Sequence, residues 1–153
     1  LGESRILPRL HGCLRQMAEE SDILALLCSA RFPQPALDRL VLMPDALLDG
    51  VVNGVHGIRT LGVLVPSSSQ IHQMLERWKR PNRKVVVESA SPYSRDDEVT
   101  SSAQRLAVSS PDLVVLDCIG YTFRTREVVK EITGKPAILP RSVLARSILE
   151  LIG

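Results

Sequence analysis

Apolar residues recur along this chain with two periods. Near the N-terminus Ile6, Leu7, Leu10, Leu14 and Met17 return every three or four residues, with Arg5, Arg9, Arg15 and Glu19 between them. That spacing predicts an amphipathic helix over residues 4–20. Pro8 belongs only near its first turn, because proline has no N–H to donate and crowds the turn before it. Residues 22–28 (DILALLC) then run apolar without a break, the pattern of a strand buried on both faces. A proline-rich loop over 31–35 leads to a short strand at 40–43. Pro44-Asp45 opens a helix carrying Leu47, Leu48, Val51, Val52 and Val55.

From Ile58 onward strands and helices alternate. Strands are predicted at 60–65 (TLGVLV), 84–88 (KVVVE), 112–118 (DLVVLDC) and 137–139. Between them lie a helix over 67–80, with Ile71, Met74, Leu75 and Trp78 inward, and one carrying Val99, Ala103, Leu106 and Ala107. Further helices are expected over 125–133 and 142–151. Ser94 followed three residues on by Asp97 is related to a capping box, and Asp96, Asp97 and Glu98 suit the positive end of a helix. This alternation means βαβ units, a parallel sheet and an α/β fold. No short repeat is present, although two strands end alike, in ALLCSA and VVLDCIG.

Composition narrows the function classes. The 153 residues suffice for one ordinary domain or two very small ones, and 44% hydrophobic with 24% charged residues is the balance of a folded protein. Nineteen Lys+Arg against seventeen Asp+Glu leave +2, which makes no electrostatic case for nucleic acid. Arg77, Lys79, Arg80, Arg83 and Lys84 form the one basic run, read as a solvated helix end and loop rather than a phosphate site. The apolar stretches are too short for a membrane span, and no secretory leader pattern is seen. Three cysteines without CxxC spacing argue against a disulfide framework and zinc, so a reducing cytoplasm and no metal are expected. The chain begins Leu1-Gly2-Glu3, without Met and inside a helical pattern, so a preceding segment is expected.

In an open parallel sheet, ligands bind beyond the carboxyl ends of the strands. Those ends carry Cys28-Ser29, Pro66-Ser67-Ser68-Ser69, Glu88-Ser89-Ala90-Ser91 and Asp117-Cys118-Ile119-Gly120-Tyr121. A thiol there lies near backbone N–H groups that favour its thiolate; a thiol that merely fills space is the alternative for each cysteine. Two at equivalent ends suit a base and an acid on opposite sides of a carbon. Cys118 is then expected to titrate below the ordinary value of about 8.5, with Gly120 allowing close approach. Ser67, Ser68 and Ser69 hold an anion or simply cap a helix. Asp117, alternating to the other side of its strand, reads as a partner for backbone or an arginine. Of Arg124 and Arg126, one suits a substrate carboxylate and the other a surface ion pair. Cys13 reads as packing; His11, His56 and His72 sit on predicted helices without metal spacing.

The segment DLVVLDCIGY over 112–121, with Arg124-Thr125-Arg126 and KPAILPRSVLAR over 135–146, closely resembles the AroM family. So do DILALLCS over 22–29, GVLVP over 62–66 and the Gln-bearing helix that follows. The resemblance implies a parallel-sheet α/β sandwich of the aspartate/glutamate racemase type, two Rossmann-like lobes with the site between them. It places 1–45 in the remainder of an incomplete first lobe, 46–140 in the second, and 141–153 in a helix returning to the first. With so little sheet, the first lobe is expected to be weakly stable or to pair through its open edge, leaving a homodimer as one state. Cys28 and Cys118 match the racemase cysteines, Ser29 the hydroxyl after the first, while Ile119-Gly120 stands where those enzymes carry Thr and His. The implied function is cofactor-independent proton transfer beside a carboxylate, in a racemase, isomerase or lyase. Substrate contacts would come from Ser29, Ser67, Ser68, Ser69, Gly120, Tyr121 and Arg124, and the partner is a small-molecule carboxylate. A non-catalytic protein binding a small carboxylate or aromatic metabolite is the alternative, and a purely structural role the third.

Overall fold

Every strand pairing in the computed structural model, which describes residues 3–94 and 96–153, is parallel. The protein is α/β, as the alternation predicts. Strands β1 (Ile23–Ala25) and β2 (Leu40–Leu42) form one small sheet. The larger sheet contains β3 (Thr60–Val65), β4 (Lys84–Ser89), β5 (Leu113–Leu116) and β6 (Ala137–Ile138), in the spatial order β4-β3-β5-β6. Leu1, Gly2 and Arg95 lie outside the described residues, and with the first two the reading of the chain's start.

The unbroken apolar run of β3 follows from its place in the middle of the larger sheet, covered on both faces. On one face Leu61, Val63, Val65 and Val115 pack against Leu48 and Val52 of α2 (Pro44–Gly54) and Met74 and Trp78 of α3 (Ile71–Trp78). On the other, Leu64, Val114 and Leu116 meet Val99, Ala103 and Leu106 of α4 (Asp96–Val108) and Val129 of α5 (Phe123–Thr133). Leu48 and Val52 are fully buried. At about 1.5–3 kcal/mol for each such side chain, apolar burial rather than surface charge holds α2 in place. Helix α1 (Glu3–Ala18) covers the small sheet through Leu10 and Leu14, and α6 (Pro140–Ile152) packs on α2.

One stretch of architecture occurs twice in the same register. Leu24 of β1 pairs with Val41, and Val114 of β5 pairs with Ala137. A cysteine follows four residues after each first partner, Cys28 and Cys118; a proline follows three after each second partner, Pro44 and Pro140. Each proline opens a helix, where its missing N–H costs no bond, and these two helices are the ones that pack together. The likeness of ALLCSA to VVLDCIG therefore extends over the strand, its parallel partner and the helix that follows, although the connection between the two strands is irregular in the first unit and contains α5 in the second.

Several element bounds differ from the sequence pattern. The run 22–28 is paired only to Ala25, with Leu26 N–H adding one bond to the Leu42 carbonyl, because β2 offers no longer partner. Beyond it the chain is irregular and Leu27 is 76% exposed, so the run is not buried throughout. The helix expected over 67–80 begins as a 3₁₀ turn, Ser68–Gln70, because the Ser67 hydroxyl accepts from the Ser69 N–H and caps it. Helix α5 starts two residues early through a reciprocal cap between Thr122 and Thr125. Pro8 stands inside α1, where it forgoes one i→i−4 bond, and Cys13 is exposed on that helix rather than packed. His56 lies in the turn after α2, not on a helix.

Candidate functional site

Chain order reverses between β3 and its neighbour β5, since β4 was added on the opposite side. The loops leaving these two strands diverge, one to each side of the sheet, and open the crevice in which such folds bind ligands. A cavity of about 570 Å³ lies there, a size suited to a small molecule. Val65 and Pro66 from the end of β3, and Asp117, Cys118 and Ile119 from the end of β5, form one part of its wall. The loop after β1 contributes Cys28, Ser29, Ala30 and Arg31, and the Gln70–Arg77 stretch adds Gln70, Gln73, Met74, Glu76 and Arg77. Both predicted cysteines therefore line one cavity. A second cavity of about 480 Å³ opens beside β2, among Phe32, Leu37, Val41, Met43 and Asp45, and neither cysteine lines it.

The backbone turns sharply after β5: the Cys118 N–H donates to the Leu116 carbonyl (2.9 Å), and strand alternation ends. This brings Asp117 and Cys118 to the same cavity instead of to opposite sides. The Gly120 N–H donates to Cys118 Sγ (3.4 Å), the hydrogen bond expected of this turn. A Cβ at Gly120 would lie 3.0 Å from Pro92 Cγ and 3.4 Å from Sγ, so the turn needs glycine for close packing. Burial nevertheless pushes the Cys118 thiol above its ordinary value, against the pull of the Gly120 N–H and with Cys28 and Asp117 adding to the rise. The expectation of a lowered value is corrected: removal from water outweighs one hydrogen bond. Cys28 is exposed at the cavity edge.

A chain of charges runs beneath both cysteines. Arg31, three residues past Cys28, pairs with Asp49 of α2 (2.7 Å). Asp49 also receives Arg77 (3.0 Å), whose other arm reaches Asp117 (3.1 Å) and whose Nη2 donates to the Asp45 carbonyl. The Trp78 indole N–H donates to the same Asp117 oxygen as Arg77, and the guanidinium lies against the indole face. Burial raises Asp117 above the ordinary carboxylate value, opposed by Arg77 and the indole. Arg77 is thus a buried organising cation, not part of a solvated run. Lys79, Arg80 and Lys84 are exposed, as read.

The remaining sequence candidates divide. Ser29 is 7% exposed and lines the cavity. Ser67, Ser68 and Ser69 are exposed, and the wall passes from Pro66 to Gln70 without them. Tyr121 is fully buried, its hydroxyl donating to the Ala90 carbonyl (2.6 Å), which makes it a strut of the core. Gly120 shapes the turn behind Cys118, and Arg124 is exposed on the first turn of α5, away from the cavity wall. Gln70, Gln73 and Arg77 line the cavity although no strand end carries them. Their i, i+3, i+7 spacing, shared with Met74, puts them on one face of a helix and is the sequence signal for them. Among the described residues no group of His, Cys, Asp and Glu is placed to hold a metal ion, and no helix is long and apolar enough to cross a membrane.

Fold and cavity together define a parallel-sheet α/β protein with two thiols facing a small-molecule crevice at the sheet's reversal point. The chain belongs to the AroM family: the family described as AroM protein matches residues 1–152. No curated protein matches it.

Proposed function

We propose that this AroM-family protein is a cofactor-independent enzyme acting at the carbon beside a carboxylate, as a racemase, isomerase or lyase, with Cys28 and Cys118 as its proton-transfer pair. One observation carries the reading: two cysteines at register-equivalent positions, each past a strand whose parallel partner leads into a proline-opened helix, line the same cavity. The resemblance to the aspartate/glutamate racemases supports it. Burial keeps Cys118 protonated near neutral pH, which suits the proton donor. Cys28 then takes the substrate proton, and Cys118 returns one to the opposite face of the carbon; each turnover exchanges the two thiol states. Ser29, Gln70 and Gln73 supply the polar contacts that hold the small molecule. A reducing cytoplasm would keep both thiols free, and the open edges of the β1–β2 sheet are where a homodimer would form.

The raised Cys118 thiol and Ile119-Gly120 favour a second reading, a non-catalytic protein binding a small carboxylate or aromatic metabolite. One experiment separates them. Small chiral carboxylic acids are incubated with the protein in D₂O, and loss of the carbon-bound hydrogen is followed by NMR. The enzyme reading expects washout that falls roughly 10²–10⁴-fold in Cys28→Ser and in Cys118→Ser, and is unchanged in Cys13→Ser. Washout as fast in both strand-end variants as in the wild type contradicts it, and saturable binding with no washout establishes the second reading.

A further inference from the structure

The geometry points to Arg141 as the positioning residue of Cys118: its guanidinium clasps the turn that carries the thiol and sets a positive charge beside it. This rests on the reading of Cys118 as a proton-transfer group. Arg141 is the second residue of α6, twenty-three positions beyond Cys118 in the chain. Its Nε and Nη2 both donate to the Ile119 carbonyl (3.0 and 2.7 Å), and Nη2 also reaches the Gly120 carbonyl (3.3 Å). These bonds end on neutral main-chain oxygens, and among the described residues Arg141 is in no ion pair within 4.0 Å. Arg77, by contrast, is engaged by both Asp49 and Asp117.

Holding two successive carbonyls fixes the Ile119 and Gly120 peptides, and with them the Gly120 N–H that donates to Cys118 Sγ. Lysine would keep the charge but not the planar fork. The groups facing the sulfur come from several elements. Cys28 on the loop after β1 and Asp117 at the end of β5 oppose the thiolate; the Gly120 N–H and Arg141 favour it; Tyr121, a buried neutral phenol, packs behind. Burial dominates and the Gly120 N–H is the larger pull toward the thiolate; Arg141 adds a smaller direct pull and acts chiefly by holding that N–H in place. In the other repeat, the residue after the helix-opening proline is Asp45, so the clasp serves only one of the two cysteines.

The test follows alkylation of Cys118 by iodoacetamide from neutral pH upward, resolved by peptide mass, in the full chain carrying Cys13→Ser. In Arg141→Gln the midpoint of the pH profile should rise by about one unit, with alkylation near neutral pH about tenfold slower. Arg141→Lys should recover less than half of the shift, and Arg146→Gln, on the exposed side of the same helix, should leave the profile unchanged. A midpoint that stays or falls in Arg141→Gln overturns the proposal. Should that variant not fold, hydrogen exchange of the Gly120 amide in Arg141→Lys decides: faster exchange than in the wild type supports the clasp, unchanged exchange overturns it. Failure of the proton-transfer reading is seen elsewhere, as undiminished D₂O washout in Cys118→Ser, and leaves these midpoints to be judged separately.

Discussion

Arg77 shows how far one side chain organises the site. Its guanidinium is buried between Asp49 and Asp117 while also touching the Asp45 carbonyl and the Trp78 ring. Asp117 adjoins Cys118 and Arg31 lies on the Cys28 loop, so the charge chain ties both cysteine segments to α2 and α3. Its members differ in weight. The solvent-facing Arg31–Asp49 pair contributes about 0–1 kcal/mol, enough to orient a loop but not to stabilise the fold. The Arg77–Asp117 pair is out of water, and removing one partner leaves an uncompensated charge. Arg77→Met is therefore expected to cost about 3–5 kcal/mol in urea unfolding. Adding Asp117→Asn should recover part of that loss; a double variant no more stable than Arg77→Met would show that the two residues do not act as a pair. Sequence could not reveal this role. Arg77 stands in a basic run, and its carboxylates come from positions 28 residues before and 40 after it. The cysteines were legible for the opposite reason, because each follows an apolar run in a similar phrase.

At the scale of elements, apolar periodicity located the strands and helices but not their partners. β3 and β5 lie within their predicted runs because neighbours cover both faces, whereas the equally apolar run 22–28 pairs over only three residues, as long as β2 allows. Helix starts moved where a cap decided them, at Ser67 and Thr122. A carboxylate fixes one strand end in a way that pH can test. The Asp112 carboxylate accepts from the Arg59 and Thr60 N–H groups (both 2.8 Å), joining the start of β3 to the residue before β5. The Thr60 and Arg59 N–H groups hold its carboxyl below the ordinary value. The folded value lies below the unfolded one, so this contribution is present above about pH 3.9 and is lost as pH falls through the folded value. Urea midpoints measured from about pH 5 to about pH 3 should fall less steeply in Asp112→Asn than in the wild type. Parallel profiles would mean that Asp112 does not anchor β3.

At the scale of the molecule, the repeated unit explains why two cysteines ninety positions apart serve one crevice. Each lies past a strand whose partner strand leads into a proline-opened helix, and those helices, α2 and α6, pack on each other. That packing sets the two units side by side, and the reversal between β3 and β5 opens the space they share. Sequence held the beginning of this arrangement in two similar strand endings; the pairing of α2 with α6 depends on which apolar faces meet, which periodicity alone does not specify. The account stands on Cys28 and Cys118 facing one cavity in the folded protein. Its most direct test is cross-linking of the native chain at high dilution, using a bifunctional maleimide short enough to fit a cavity of about 570 Å³, with products read by peptide mass. The account expects an intramolecular bridge between Cys28 and Cys118 that is lost in urea, with exposed Cys13 modified singly. Single adducts on Cys28 and Cys118 with no bridge between them, or bridges to Cys13 as frequent as that one, would contradict it.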